Sequence, residues 1–188
     1  MKIIDITYNW NGSLIKRDFT KYIILHHRAG DGDVQSIHNL HLNKGWVGIG
    51  YHFYVKKDGS IYRGRPVDTV GAHTTNYNSA SIGICFEGNF ENETMSAPQL
   101  EAAQELIFYL KNLYSGVEVK RHKDCNNTSC PGKNFPSDAI IQKEIIMTID
   151  KAKEIVKVKA GLENSTINFL LCYKYGEELL IKLAKAMK

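Results

Sequence analysis

The stretch from Arg121 to Gly132 contains the residues whose types and spacing point most directly to chemistry. His122 and Cys130 lie eight residues apart in a polar loop that ends in the turn-forming pair Pro131-Gly132. Imidazole nitrogen and thiolate sulfur are ligands that suit zinc. Two ligands cannot complete a tetrahedron. A fourth protein ligand would make the site structural, and a water in that position would make it catalytic.

The next question is which residue supplies a third ligand. Two of the seven histidines, His26 and His27, end the apolar run Tyr22–Leu25, which is typical of a buried strand. Neighbouring strand residues point to opposite faces, so one of the two can share a site with His122 and Cys130, and spacing alone does not choose between them. Cys125 offers another solution, because it could join Cys130 in a closed structural site.

The elements that must position these residues alternate between strands and helices. Strands are predicted at Tyr22–His27 and Ser81–Phe86, a hairpin at Gly50–Val55 and Ser60–Arg63 around Asp58-Gly59, and helices at Val34–Leu42, Ala97–Leu113 and Asp138 to about Val158. This pattern predicts a layered α/β (α+β) domain over residues 1–150.

Residues 151–188 are predicted to form a separate small helical module. Ala160-Gly161 breaks the helical pattern, Asn164-Ser165-Thr166 offers a helix cap, and Gly176 is expected to stop one helix before another at Glu177–Met187. A helical hairpin of this size needs docking or self-association for stability, so a homo-oligomer through this module is one expectation.

Composition is that of an ordinary globular protein, with 43% apolar and 23% charged residues. The start of the chain, Met1 to Asp5, has a carboxylate where a signal peptide would be apolar, so we expect the protein to fold in a cytosol. Four cysteines in 188 residues do not indicate a disulfide framework.

The net charge of +4 lies entirely in the tail, where residues 151–188 carry eight lysines against four glutamates. A solvated lysine face and attraction to an anionic polymer explain this equally well. The charge is too weak to indicate a nucleic-acid partner.

An ordered set of motifs resembles the type-2 N-acetylmuramoyl-L-alanine amidases, the superfamily of phage lysins and peptidoglycan recognition proteins. The motifs span roughly residues 20–140 and comprise Ile24-Leu25-His26-His27, Gly45-Trp46, Gly50-Tyr51-His52-Phe53, Gly71-Ala72-His73, Asn78, Ser81-Ile82-Gly83-Ile84, and Arg121-His122 through Cys130-Pro131-Gly132. The resemblance implies a central mixed β-sheet flanked by helices, with Zn²⁺ held by His26, His122 and Cys130. His27 is then a structural neighbour.

The resemblance also implies roles for residues around the metal. Tyr51 matches a tyrosine beside the metal whose phenol orients water and stabilises an oxyanion. Thr128 matches a position where some phage members carry lysine; its hydroxyl can hold water or substrate but supplies no positive charge. Cys85 stands where other members carry a catalytic glutamate, and we interpret it as a buried apolar residue. Glu87 is retained as an alternative base.

Four further residues match positions that line the glycan-peptide groove of relatives. They are His41, Trp46, His73 and Asn78. His41 lies on a predicted helix, where a surface role is nearly as good an interpretation. His52 is expected to be structural and His38 to be a solvent-facing helix residue.

The resulting hypothesis is a phage-type endolysin that hydrolyses the amide between the lactyl group of N-acetylmuramic acid and L-alanine. It would stay in the host cytoplasm until lysis and then act on peptidoglycan. The tail weakly resembles wall-attachment modules, with anionic wall polymer as its expected partner. A non-catalytic peptidoglycan-binding module and a cytosolic amidase that recycles muropeptides are the alternatives.

Overall fold

The computed structural model describes residues 1–141 and 149–187. Within these ranges the strands are β1 (Ile3–Ile4), β2 (Tyr22–His27), β3 (Phe53–Val55), β4 (Ile61–Arg63), β5 (Ser81–Phe86) and β6 (Glu118–Arg121). The α-helices are α1 (Val34–Asn43), α2 (Ala97–Leu113), α3 (Ser137–Ile141), α4 (Ile149–Ala160), α5 (Asn164–Leu171) and α6 (Gly176–Ala186). None of these helices combines the length and apolar character needed to cross a bilayer.

All six strands form one mixed sheet in the order β1-β4-β3-β5-β2-β6. The β3–β4 pair is antiparallel and the other pairs are parallel. The hairpin turns at Gly59, whose φ of +85° is a left-handed conformation that glycine adopts without strain. The predicted mixed α/β fold is confirmed.

The two faces of the sheet are packed differently. Ile23 and Leu25 of β2 contribute to the larger core, which also contains the buried face of α2. Cys85 and Tyr54 lie in a smaller core with Val34 and Ile37 of α1. Successive strand residues alternate between these faces, so His26 lies on the face opposite Leu25 and His27.

Helix α2 begins and ends at the residues predicted from the sequence. The hydroxyl of Ser96 accepts a hydrogen bond from the Gln99 backbone N–H, and Pro98 occupies the first turn, where its missing N–H is not needed. Ala103, Leu106, Ile107 and Leu110 are buried against the sheet. Local signals and apolar spacing agree over this helix, which explains the match.

A buried guanidinium is among the groups that hold the segment before β2 to the domain. Nη1 of Arg17 donates to the carbonyls of Thr69 (2.7 Å) and Ser81 (3.1 Å), and Nη2 donates to the carbonyl of Val67 (2.5 Å). Nε and Nη2 also donate to the Thr20 hydroxyl. Strand β1 pairs with β4 in the same region of the fold, so residues 3–17 close over residues 61–81.

Two strands were not predicted. β1 contains only two residues, and β6 (Glu118–Arg121) has one apolar residue among three charged ones. Both are edge strands, where burial imposes little alternation of apolar residues. Neither therefore carries the pattern from which strands are recognised.

Contacts divide the chain into two compact units, Met1–Lys143 and Glu144–Lys188. The predicted helix from Asp138 to Val158 includes residues 142–148, which lie outside the described residues; α3 and α4 are the helices on either side. In the described residues of the second unit, α4, α5 and α6 pack around a core to which each helix contributes buried residues. The sequence had predicted a two-helix hairpin. Gly176 does not stop a helix, since α5 ends at Leu171 and Gly176 is the first residue of α6.

Candidate metal centre

Three side chains that can bind a metal converge at one end of the sheet. β2 and β6 are parallel and pair up to Leu25 and Arg121, so the next residues, His26 and His122, follow that pairing side by side, with His26 still paired to Cys85 of β5. Cys130 approaches from the loop that follows. One ligand atom from each of these three residues lies within 4.8 Å of the other two.

The orientation of His26 is fixed at both ring nitrogens. Nδ1 lies 3.9 Å from Sγ of Cys130, and the ring centroid is 4.5 Å from that of His122. Nε2 points the other way and lies 3.0 Å from Nδ1 of His73. The lone pair that can reach a metal shared with Cys130 is therefore the one on Nδ1.

His27 occupies a different place from His26. Its ring stacks on Phe90, and its Nδ1 accepts a hydrogen bond from the Phe90 backbone N–H (3.3 Å). Its backbone N–H donates to Sγ of Cys130 (3.4 Å). His27 thus supports the thiol through its main chain, while its side chain lies on the other face of the sheet.

The loop that carries Cys130 folds back on its own start. The backbone N–H of Lys123 donates to the carbonyl of Cys130 (2.9 Å), and the N–H of Cys125 donates to the carbonyl of His122 (2.9 Å). Cys125 does not belong to the three-residue cluster found in the described part of the chain. The geometry brings Cys130 to the histidines and leaves Cys125 outside.

Burial sets the protonation of these groups. It lowers the pKa of His26 well below the usual range, with the nearby His122 and His27 adding to the effect, and it lowers the pKa of His122. Burial raises the pKa of Cys130 to about 11. Two neutral imidazoles offer lone pairs to a metal, and a thiol in this position would lose its proton only beside a cation.

Tyr51 lies beside the cluster. Its ring centroid is 5.1 Å from that of His26, and its phenol interacts with the buried thiol of Cys85. Burial raises the pKa of Tyr51 well above its usual range, so the phenol keeps its proton and remains a hydrogen-bond donor. Cys85 is fully buried in the core, as the sequence led us to expect.

Thr128 contacts the main chain of the cluster. Its hydroxyl oxygen accepts a hydrogen bond from the backbone N–H of Cys130 (3.2 Å). This bond stabilises the turn that presents the thiol, and it leaves the hydroxyl proton available for another acceptor. A catalytic role for Thr128 stays a prediction.

Glu87 has a structural environment. One carboxylate oxygen accepts from the Gly32 N–H (3.0 Å) and the other from the Lys57 N–H (3.0 Å). Both oxygens therefore fix loops, and a role as a base has no geometric support.

His41 and Trp46 form a pair at the end of α1. Their ring centroids are 4.6 Å apart, and Tyr51 lies 5.7 Å from His41. Nδ1 of His41 accepts from the Gly50 N–H (3.0 Å), which fixes the ring, while Trp46 is 39% exposed. Trp46 thus presents an exposed aromatic surface, which His41 and Tyr51 separate from His26. Substrate contact stays a prediction for both His41 and Trp46.

His73 and Asn78 belong to one loop. Oδ1 of Asn78 accepts from the backbone N–H groups of His73 (2.8 Å) and Thr74 (2.9 Å), so its side chain holds the loop together. His73 is 9% exposed and directs its ring at His26 and Ser81. Contact with substrate stays a prediction for both residues. The contact present in the structure is between His73 and His26, a candidate metal ligand.

His38 was expected to face solvent, and this is wrong. It is 1% exposed, because the segment after α1 folds back over the helix and the Ile49 N–H donates to its Nδ1 (3.2 Å). His52 is fully buried, and its Nδ1 accepts from the Gly83 N–H (3.0 Å), which agrees with a structural role.

Sequence reasoning did not find the residues that support the two histidines. Thr74 and Ser81 contact the His26–His73 pair, and a side-chain hydrogen bond joins Asn126 to His122. Thr74 lies 48 residues from His26 in sequence, whereas Ser81 and Asn126 are eight and four residues from the histidines that they contact. All three are ordinary polar residues, and no motif marks them as supports of a metal ligand. The motif Gly71-Ala72-His73-Thr74 was the available signal, although the sequence suggested substrate contact for it.

The donor set fits zinc. Two imidazoles and one thiol within 4.8 Å match the nitrogen and sulfur ligands that zinc prefers. Three protein ligands leave one tetrahedral position open, which is the arrangement of a catalytic rather than a structural zinc site.

The fold and this cluster define the class of a mixed-sheet α/β protein with a candidate metal site at the end of the sheet, and the comparisons identify the family. The N-acetylmuramoyl-L-alanine amidase family matches residues 16–133. The chain therefore belongs to that family, as the motifs indicated.

Individual relatives agree with this assignment. The structure resembles that of N-acetylmuramoyl-L-alanine amidase LysC from Clostridium intestinale, with a TM-score of 0.71 and 41% identity over 76% of this chain and 97% of the other. The endolysin of Klebsiella phage KP32 is 34% identical over 62% of this chain and 83% of its own length. Peptidoglycan-recognition protein SC2 of Drosophila melanogaster is 35% identical over 63% of this chain and 71% of its own.

Proposed function

We propose that this protein is a zinc-dependent N-acetylmuramoyl-L-alanine amidase of the endolysin type, which cleaves the amide between the lactyl group of N-acetylmuramic acid and L-alanine of peptidoglycan. The observation that carries the proposal is the convergence of His26, His122 and Cys130 within 4.8 Å. Family membership and the relatives named as amidases and endolysins support it.

The three ligands would hold the ion in a site of reduced charge. Zinc, when bound, supplies a Lewis acid that polarises a carbonyl and makes water more acidic. One thiolate and two neutral imidazoles would give a net charge of +1, so the chain must add its own donors to stabilise a developing oxyanion. That requirement makes the neighbouring phenol important.

Tyr51 is the residue placed to meet this need. Its phenol stays protonated, and its ring lies beside that of His26. A hydroxyl held in this way can donate to the carbonyl oxygen of a bound amide as negative charge develops. The hydroxyl proton of Thr128, on the loop of Cys130, can assist at the same oxygen or hold a water.

The test is hydrolysis of purified peptidoglycan. We expect the protein to release new L-alanine amino termini from sacculi, a strong chelator to abolish this release, and added Zn²⁺ to restore it. The matched pair for this assay is Cys130→Ala, expected to be inactive, and Cys125→Ala, expected to keep activity. Sacculi that yield no alanine amino termini with any of these preparations would refute the proposal.

The two alternative functions give different results in the same experiment. A non-catalytic module would bind sacculi without releasing alanine. The similarity to a peptidoglycan-recognition protein is the reason to test for this outcome. A recycling amidase would cleave soluble muropeptides and leave intact sacculi untouched. The presence of the thiol ligand Cys130 favours catalysis over binding alone.

We also propose that the second compact unit attaches the enzyme to the cell wall. The family match ends at residue 133, so this unit lies beyond it. Phe169, Tyr173 and Tyr175 are 62%, 59% and 65% exposed. The open surface next to the two tyrosines is lined by Lys174, Lys182 and Lys185 together with Glu177 and Glu178, and Lys182 pairs with Glu178. Aromatic rings with lysines at their edge suit an anionic glycan polymer.

A further inference from the structure

We infer that His73 is a positioning residue for the metal centre: with Thr74, it holds His26 in the tautomer that presents Nδ1 to the ion. This inference rests on the proposed zinc site. It gives His73 a role inside the centre, in place of the contact with substrate that the sequence suggested.

The hydrogen bonds assign the protons along this chain of groups. The Ser81 hydroxyl donates to the Tyr77 carbonyl (2.7 Å), so its oxygen is left to accept from Nε2–H of His73 (3.4 Å). His73 then has a lone pair on Nδ1, which accepts from Nε2–H of His26 (3.0 Å). With its proton on Nε2, His26 must carry its lone pair on Nδ1, the atom that faces Cys130.

Thr74 reinforces the same arrangement. Its hydroxyl oxygen lies 2.9 Å from Nδ1 of His73 and 3.2 Å from Nε2 of His26. It can donate to the first atom and accept from the second, so both contacts are compatible with the same His26 tautomer. The reverse arrangement, with Nδ1–H on His26, would leave no proton between Nε2 of His73 and the Ser81 oxygen, because the Ser81 hydroxyl donates to the Tyr77 carbonyl.

The position of the His73 ring is built into the fold. A Cβ added at Gly83 of β5 would lie 2.5 Å from the ring, and one added at Gly71 would also lie 2.5 Å from it. Two glycines therefore leave a slot that the imidazole fills. The loop that carries the ring is fixed at the other end by Asn78.

The same loop also supports the second histidine. Nδ2 of Asn126 reaches the Thr75 carbonyl (3.5 Å), and the Asn126 side chain hydrogen-bonds His122. Residues 73–75 thus support both imidazoles of the cluster, His26 directly and His122 through Asn126. Groups that orient metal-binding histidines commonly contribute about 10–100-fold to metal affinity or activity.

The experiment compares His73→Asn with His73→Leu in the full chain. The asparagine and leucine side chains have nearly the same shape. The asparagine oxygen can replace Nδ1 of His73 as a hydrogen-bond acceptor, and leucine has no acceptor. Zn²⁺ affinity is measured by competition with a chromophoric chelator, and the folded state by circular dichroism. We expect H73L to bind Zn²⁺ about 10–100-fold more weakly than wild type, and H73N to recover most of this loss.

Thr74→Val provides a second test that does not disturb the slot. It keeps the shape of threonine and removes the hydroxyl that bridges the two rings, so Zn²⁺ binding should weaken in the same direction and by less. If H73L does not fold, the Zn²⁺ affinity of T74V tests the positioning role by itself.

The outcomes separate this inference from the proposed function. Wild-type protein that binds no Zn²⁺ overturns both. Wild-type affinity in H73L and T74V overturns the positioning role alone. A raised KM for muropeptide with unchanged Zn²⁺ affinity would also overturn it, because that result assigns His73 to substrate contact.

Discussion

The phenol of Tyr51 and the thiol of Cys85 interact beside His26. This contact links Tyr51, which lies beside the metal-binding cluster, to Cys85 of the buried strand β5. It means that a residue in the core, with no exposed surface, restrains the group that we expect to act on the substrate.

Tyr51→Phe should lower kcat by about 10²–10³-fold, the usual effect of removing one donor to a developing oxyanion. Zn²⁺ content should not change, because the phenol is not one of the three ligand groups. Steady-state kinetics on soluble muropeptides, with metal analysis of the same preparation, check this. Tyr62→Phe, in β4, is the control and should leave kcat near the wild-type value. A fully active Tyr51→Phe would rule out the donor role.

Cys130→Ser should lose Zn²⁺, whereas Cys125→Ser should retain about one ion per chain. Both thiols lie in the same loop, but only Cys130 belongs to the cluster identified in the described residues. The measurement is zinc per chain after dialysis against a weak chelator. Equal loss in the two variants would point to a closed site that uses both thiols.

Stability should fall as the solution becomes acidic. Burial lowers the pKa of His41 to about 4 and that of His52 to about 3. The unfolded chain binds these protons near pH 6.5, so the contribution of both groups is complete above that pH and is lost progressively down to pH 4 and 3. Each should reduce the free energy of unfolding by about 1.4 kcal/mol per pH unit within its window.

Urea unfolding between pH 7 and pH 5 measures this slope. His52 has a specific reason to stay neutral, because Nδ1 accepts from the Gly83 N–H and Nε2 lies 2.8 Å from the Thr69 carbonyl. Arg17 and Arg65 are the cations near it, and Asp68 is the nearby acid. Removing one titrating group in His52→Gln or His41→Gln should make the slope shallower by about one proton. An unchanged slope in both variants would contradict the expectation.

Replacing Phe169, Tyr173 and Tyr175 together by serine should weaken binding to whole cell walls about tenfold or more, equivalent to at least ~1.4 kcal/mol. Turnover of soluble muropeptides should stay the same, because these residues belong to the second compact unit. Sedimentation with purified walls gives the affinity. Val158→Ser, at a residue 73% exposed on α4, removes apolar surface elsewhere in the unit and serves as the control. Loss of self-association with intact wall binding would identify the surface as a dimer contact.

The fold was largely predictable where local signals and burial agree. α2 has a serine cap, a proline in its first turn and a regular apolar face, and β2 and β5 are continuous apolar runs. The location of His38 was not predictable. It became buried through the return of residues 46–50 over α1, which is a tertiary contact without a sequence pattern.

The metal cluster could be assembled from the sequence only in part. The spacing of His122 and Cys130 suggested two ligands, while the choice of His26 over His27 depended on which face of β2 meets β6 and its loop. The supporting layer of His73, Thr74 and Asn126 could not be derived, because its hydrogen bonds join segments separated by up to 51 residues in sequence.

The hydrogen bonds of the Arg17 guanidinium have a consequence for how the protein folds during its synthesis. Residues 3–17 leave the ribosome before residues 61–81, to which β1 and the Arg17 guanidinium bind. This segment must therefore wait for contacts with residues that are synthesised later, since its Arg17 contacts span 52 to 64 residues. During synthesis it cannot take its final place until β4 and β5 have emerged.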